Sequence, residues 1–353
     1  MDMHGEDGRD TLGRLLQWAR LRGQLDLRCR MHDVFALPHA QAADGIALFH
    51  AVLEGGCRLG LPDGRWYPLR PGELVVLPRG LAHNLVALQG ALPADDSLDD
   101  TRRPLQQQGW LPLRSNLPDA ACLRDSLDLV CGRFVHEGEV GALLLQALPD
   151  VLILGQPQEA EQQPGPPWRG APIRVVHVPL AWPGEAGGST LHPVLGLVQL
   201  LRQEAAAEQP GARAMAELLT QALLLHVLRA YAQSEAVRQL PGVLNLLAEP
   251  RLQGVVQAMW QQPGGDWSLD SLAERAAMSR ATFTRQFAQH AGMSPWAFLT
   301  QLRMLHGMEL LRDPRHSLAQ IAGLTGYQSE SAFNVAFRKY SGQTPARYRR
   351  EHG

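Results

Sequence analysis

The chain has 353 residues, 45% of them hydrophobic, enough to bury more than one core, so two domains are the default. No apolar run approaches the roughly 20 residues needed to cross a bilayer, and MDMHGEDGRD lacks the basic-then-apolar order of a secretory signal, so the expectation is a soluble, cytoplasmic protein with no membrane partner. The net charge of −2 divides into +5 from Arg251 onward and −7 before it, a basic tail on an acidic body, which suits an anionic partner for the tail alone.

In chain order, TLGRLLQWARLRG reads as a short helix. From about residue 25 to 90 short runs alternate apolar and polar (LDLRCRM, IALFHAVLEG, ELVVLP) between Gly, Pro and Asp, the pattern of a small antiparallel barrel or sandwich. LDLVCGRFVHEG and VLILG supply two closing strands. ALPADDSLDDTRRPLQQQ and QPQEAEQQPGPPWRGAP have no periodicity and read as mobile loops. Cys29 alternates in phase with Leu25, Leu27 and Met31, and His50 with Ile46, Leu48 and Val52, which points both into the barrel. Cys57, Cys122 and Cys131 complete the cysteines, too few and too scattered for a secreted disulfide framework.

From His192 the period becomes helical, with Leu195, Val198 and Leu201 and then Leu218, Leu219, Ala222, Leu225 and Leu228 on apolar stripes. These helices cover either their own barrel or a second copy of the chain in a homodimer.

The tail contains one unit twice: ATFTRQFAQHAGMSPWAF, from Ala281, returns fifty residues later as SAFNVAFRKYSGQTPARY, from Ser331. Phe283 matches Phe333, Phe287 matches Phe337, Gly292 matches Gly342, Pro295 matches Pro345 and Phe298 matches Tyr348. Ser268 and Ser279 are placed to cap the two helices of one helix-turn-helix, with a turn at Ala277 and Met278; Ser317 and Ser329 repeat the arrangement around Gly326 and Tyr327. PWAFLTQLRMLHGMELLRD is long enough for one connecting helix. Two such units in one chain suit successive major-groove faces of double-stranded DNA, about 34 Å apart.

From about Arg251 to Arg350, and most specifically in IAGLTGYQSESAFNVAFRKYSGQTPARYR, the chain resembles the AraC/XylS transcriptional regulators. That resemblance implies that Arg280, Ala281, Thr284 and Arg285 face one major groove, and Glu330, Ser331, Asn334 and Val335 the next. Many relatives carry Arg where Val335 stands. Arg280 and Arg285 can donate in pairs to guanine or reach phosphate, Glu330 can only accept, and Val335 can at most touch a thymine methyl. Arg338, Lys339, Arg349 and Arg350 read as phosphate contacts. RNA polymerase is a further partner that the resemblance allows.

GELVVLPRGLAHNLVA matches the second cupin motif, G-x5-P-x-G-x2-H, at Gly72, Pro78, Gly80 and His83, with Ala87 in place of its closing Asn. In the first motif His50 is present, Val52 replaces a second His, and Glu54 belongs with a turn. Cupin enzymes generally hold a metal with several His and a Glu, so the departures weigh against a metalloenzyme. With LRGQLDLRC, LPHA and LVCGRF, the N-terminal part resembles the sensory cupin domain of the branch that includes reactive-chlorine-responsive regulators; that resemblance marks Cys29 and Cys131 as oxidant-sensing positions. Cys29, His50, His83 and Cys131 together would suit tetrahedral zinc. Without metal, a low-pKa cysteine beside a histidine is oxidised and then resolved by the second cysteine, and the bond draws the N-terminal strand across the barrel. Cys57 and Cys122 receive no role, and the bland alternative for the four residues is ordinary core packing.

The expected fold is α+β and multidomain: a cupin-like β-barrel over 11–154, a helical linker and dimerisation region over 190–235, and an all-α double helix-turn-helix domain over 251–350. The expected function is a sequence-specific transcriptional regulator, without catalytic residues, sensing an oxidant or metal. A small organic effector, or a cupin metalloenzyme, is the alternative.

Overall fold

The computed structural model describes residues 12–13, 16, 19–89, 98–107, 109–117, 126–136, 139–156, 159–162, 170–179, 193–206 and 209–352. Two compact units emerge: Arg20–Glu137 with Leu148–Ala236, and Gly138–Ala147 with Val237–Gly353 and the described residues before Arg20.

The first unit is built on β1 (Arg22–Met31), β2 (Ala36–His39), β3 (Ile46–Glu54), β4 (Cys57–Gly60), β5 (Arg65–Leu69), β6 (Leu74–Leu77), β7 (His83–Ala87), β8 (Gln106–Gln107), β9 (Pro112–Ser115), β10 (Leu127–Val135), β11 (Val151–Leu154), β12 (Glu161–Gln162) and β13 (Val175–Val178). They form a sheet in the order β13-β11-β6-β3-β10-β1-β9-β8 and a second in the order β12-β5-β4-β7-β2. Alternation in each strand sends Met31, Val52, Leu59, Leu85, Leu129 and Ile153 into one shared core. β10 runs antiparallel between β1 and β3, so the middle of the larger sheet joins residues such as Arg28 and Asp128, 100 positions apart. Gly132 is required there, because a Cβ would lie 2.4 Å from both Gln24 O and the Phe49 ring.

The loops expected from sequence carry more order than their composition suggests. Residues 100–102 form a 3-10 turn whose buried Asp100 accepts a hydrogen bond from Ala36 N at 3.0 Å, tying the segment to β2. In the second loop, β12 pairs with β5. Residues 90–97 and 163–169 of those loops, Cys122, and most of the expected N-terminal helix lie outside the described residues.

α1 (Glu139–Gln146), between β10 and β11, belongs to the second unit. α2 (Pro193–Ala206) and α3 (Ala212–Gln233) complete the first. α3 lies on β1 at Gly23, where a Cβ would come within 2.5 Å of Thr220 Cγ2. Its buried face is Ala216, Thr220, Leu223, Val227 and Tyr231. The stripe expected from sequence is therefore displaced: Leu228 is buried, but Leu218 is 62% exposed and Met215 48%. At its closest approach to β1 the helix presents Thr220 to Gly23, while Leu223, Leu224 and Leu228 share the buried face.

In the second unit α4 (Val243–Ala248) and α5 (Pro250–Gln261) precede α6 (Leu269–Arg275), α7 (Arg280–Ala291), α8 (Pro295–Arg312), α9 (Leu318–Leu324), α10 (Glu330–Ser341) and α11 (Pro345–His352). α6–α7 and α9–α10 are the two helix-turn-helix units, and α8 connects them. The repeat holds in three dimensions. Phe283, Phe287 and Phe298 pack in sequence, tilted and then edge-on, at 5.6 and 5.5 Å, and Phe333, Phe337 and Tyr348 do the same at 5.5 and 5.6 Å.

Candidate functional site

Both recognition helices, α7 and α10, are set by the same devices. Ser279 accepts from Thr282 N at 3.3 Å, and Ser329 from Ala332 N at 3.2 Å, satisfying amides that the first turn leaves unpaired. Gly292 and Gly342 end the helices at φ +75°, the left-handed conformation that favours glycine. With the phenylalanines inward, Ala281 and Arg285 are exposed on α7 and Thr284 is half-buried. Arg280 is exposed and pairs with Asp270 at 3.2 Å. Both partners are open to solvent, so this pair holds Arg280 only weakly. On α10, Glu330, Ser331, Arg338 and Lys339 are exposed, Asn334 is half-buried, and Val335 is 69% exposed. Arg349, expected at phosphate, instead donates to Leu311 O at 3.2 Å and His316 O at 2.7 Å, pinning α11 to the end of α8.

The second site lies inside the barrel. Cys131 on β10 sits directly opposite His50 on β3, and opposite Leu27 on β1, which places Cys29 diagonally across the same strand pair. His83 on β7 and His39 on β2 face them from the other sheet as a cross-strand pair, their rings stacked at 4.5 Å and 6°. His83 Nδ1 lies 2.7 Å from Leu81 O and His39 Nδ1 2.8 Å from Leu37 O. A carbonyl only accepts, so both rings carry their proton on Nδ1 and present a bare Nε2. His50 Nε2 is 2.8 Å from His83 Nε2 and must donate to it; His50 Nδ1 is then bare and accepts from the Cys131 thiol at 3.1 Å. The result is a directed chain from Cys131 through His50 and His83 to the Leu81 carbonyl.

Burial, reinforced by the neighbouring rings, holds His50 well below the ordinary imidazole range and takes His83 down to about 3; burial also lowers His39. The hydrogen bond with Cys29, followed by burial, holds the Cys131 thiol well above its usual range. The low-pKa cysteine expected beside a histidine is therefore not Cys131. A histidine beside a thiol lowers its pKa only as a cation, and this one is kept neutral. Cys57 shares the same core and is pushed up to about 12 by burial. The thiols of Cys29 and Cys131 do not face each other across the barrel either: β1 and β10 are already hydrogen-bonded neighbours.

The usual cupin metal set does not fit these residues. Val52 is fully buried among apolar side chains, and Glu54 is half-exposed with its carboxylate 2.6 Å from Arg202 Nη1. His39, which sequence reading left without a role, brings a ring nitrogen within 4.8 Å of donor atoms on both His50 and Cys131. Its only sequence signal was its place in LPHA.

Residues 272–351 match a helix-turn-helix domain family and residues 10–168 a cupin family. A putative AraC-like transcription regulator of Streptomyces antibioticus is 33% identical over 87% of this chain and 88% of its own. The chain belongs to the AraC family of transcriptional regulators. An uncharacterized HTH-type transcriptional regulator of Haemophilus influenzae is 30% identical over 97% of this chain and 98% of its own. The RCS-specific HTH-type transcriptional activator RclR of Escherichia coli is 28% identical over 96% and 97%. This AraC-family chain is thus a DNA-binding transcriptional regulator with a cupin domain. No helix among the described residues is long and apolar enough to cross a membrane.

Proposed function

We propose that this cytoplasmic regulator binds specific double-stranded DNA as a homodimer, and that oxidation of the Cys29–Cys131 pair is its signal. The observation that carries the reading is the position of Cys131, on the strand that pairs with the strand of Cys29 and 3.1 Å from a bare histidine nitrogen. The naming of one full-length relative as RCS-specific supports it. Hypochlorous acid converts one thiol to sulfenic acid with release of chloride and a proton; the second thiol displaces water from it and closes the disulfide.

Diagonal residues of an antiparallel pair stand about 7–8 Å apart, beyond the roughly 4.4–6.8 Å between Cα atoms that a disulfide accepts. Closing the bond therefore shifts β1 along β10. β1 bears on α3 at Gly23, and Asp128 of β10 lies 3.5 Å from Arg202 of α2, so both helices feel the shift. The exposed Met215 and Leu218 on α3 supply the apolar stripe for the second copy. In the dimer Arg280, Arg285, Glu330 and their neighbours read bases, Arg338 and Lys339 hold phosphates, and RNA polymerase is the partner through which binding alters transcription. The competing reading, a small organic effector, has a cavity of about 370 Å³ at the barrel rim between Met31, Phe35, Leu88 and Leu127.

The test compares wild type, Cys29→Ser and Cys131→Ser for free thiols and promoter output before and after hypochlorous acid, with DNA affinity measured across salt concentration. A response present in wild type, reversed by reductant and lost in both variants is expected. An undiminished response in both variants would hand the signal to the organic effector.

A further inference from the structure

We propose that the barrel holds one thiophilic closed-shell cation, zinc(II) or copper(I), on His39 Nε2, His50 Nδ1 and Cys131 Sγ. The inference rests on the reading of this cluster as the sensor site and adds what occupies it in the reduced protein.

The donor set is new relative to the cupin motifs. His50 is the motif's own histidine, but the lost second histidine and the diverted Glu54 are replaced by His39 from β2 and Cys131 from β10. Two imidazoles and a thiolate, with no carboxylate, select a soft or borderline cation over the iron or manganese that oxygen-rich sites prefer.

The geometry is close to what such an ion requires. Around an ion with metal–nitrogen bonds near 2.0 Å and a metal–sulfur bond near 2.3 Å, ligand atoms lie about 3.3 to 3.8 Å apart. One ring nitrogen each of His39 and His50 and the Cys131 Sγ already lie within 4.8 Å of one another, and His50 Nδ1 is 3.1 Å from Cys131 Sγ. Ring orientation is fixed in advance. His39 Nδ1 is committed to Leu37 O, leaving Nε2 for the ion, the arrangement that metal-binding histidines generally adopt. His50 keeps its Nε2 hydrogen bond to His83, and His83 keeps its bond to Leu81 O, when Nδ1 takes the metal. His83 is therefore a positioning residue and not a ligand, which revises the set Cys29, His50, His83 and Cys131 expected from sequence.

The site crosses the seam between the two sheets, because His39 belongs to one and His50 and Cys131 to the other. It also competes with the disulfide: one sulfur, Cys131 Sγ, serves either the ion or the bond to Cys29. An occupied site shields the thiol, and oxidation expels the ion.

The experiment uses the full chain, stripped of metal under reductant and titrated with cobalt(II) as a spectroscopic probe, with zinc(II) and copper(I) in separate arms against chromophoric chelators. One ion per chain is expected, with a thiolate-to-cobalt charge-transfer band. Cys131→Ser abolishes the band. His39→Gln weakens zinc binding by more than about 100-fold, whereas His83→Gln stays within the roughly 10- to 100-fold of a supporting residue. Cys29→Ser keeps both the band and the stoichiometry. Salt-sensitive DNA binding is measured on each variant as the check of folding. The proposal is overturned by intact DNA binding without stoichiometric metal, by a band that survives Cys131→Ser, or by equal losses in His39→Gln and His83→Gln. None of these outcomes touches the oxidation reading, which is tested by free thiols and promoter output.

Discussion

Asp128 joins the strand that carries Cys131 to the strand that carries Cys29. It is 3% exposed and accepts from Arg28 Nε at 2.8 Å and Nη2 at 2.6 Å, and Arg202 of α2 lies 3.5 Å away. Asp128→Ala leaves Arg28, whose side chain is only 17% exposed, as a charge without its bidentate partner. Breaking one side of a buried pair costs about 3–5 kcal/mol. Arg28 retains a little water and a distant Glu54, so the lower end, about 3 kcal/mol, is expected. Removing both charges, as in Arg28→Met with Asp128→Ala, should recover much of that loss, because no unpaired charge is then left buried. Denaturant unfolding of the full chain, read by hydrogen exchange at the amides of β1 and β10, measures all four corners of the cycle. The reasoning fails if Asp128→Ala costs less than about 1 kcal/mol, or if the double variant is as unstable as the two single losses added.

Four further outcomes follow from the same geometry. Ser279→Ala and Ser329→Ala should each cost about 1 kcal/mol, with faster amide exchange confined to the recognition helix whose cap is lost. Arg285→Ala should weaken binding by about 1–3 kcal/mol and relax preference at one base position, whereas Val335→Ala should change little; selection of sites from random DNA checks both. In the metal-free protein His83 is held neutral down to about 3 while the unfolded chain protonates near 6.5. Stability should therefore fall by about 1.4 kcal/mol for each pH unit between those values and show no contribution from this ring above 6.5, as pH-dependent unfolding of wild type against His83→Gln will show. Residues 251–353 expressed alone should bind DNA with an affinity that drops steeply with salt; a folded fragment without salt-sensitive binding contradicts the assignment of the tail.

The tail was legible in the sequence because its information is local. Ser279 and Ser329, the glycines at 292 and 342, and the paired phenylalanines each act within a turn or two of their neighbours, and the second copy checks the first. Arg349 misled because its partners, Leu311 O and His316 O, lie more than thirty residues back and are backbone atoms, which leave no pattern in side-chain identity. In the barrel, alternation correctly turned Cys29 and His50 inward, but it says nothing of which strands are neighbours. That Cys131 meets His50, and that His39 stands beside His83, are facts of register between strands 44 to 81 residues apart in sequence. The face of α3 that is buried was misread for a related reason: the partner, β1, lies some two hundred residues earlier, and its Gly23 meets the helix at Thr220, outside the leucine stripe.

The place of β10 between β1 and β3 also sets a timetable for synthesis. β1 and β3 leave the ribosome long before the strand that will hydrogen-bond to both, and at about 5–20 residues per second that interval is on the order of several seconds. During it both strands have unpaired edges, and Cys29 has not yet acquired the neighbours that bury it. A nascent chain is thus open to an electrophile, or to a passing strand from another protein, at a residue that the finished barrel buries.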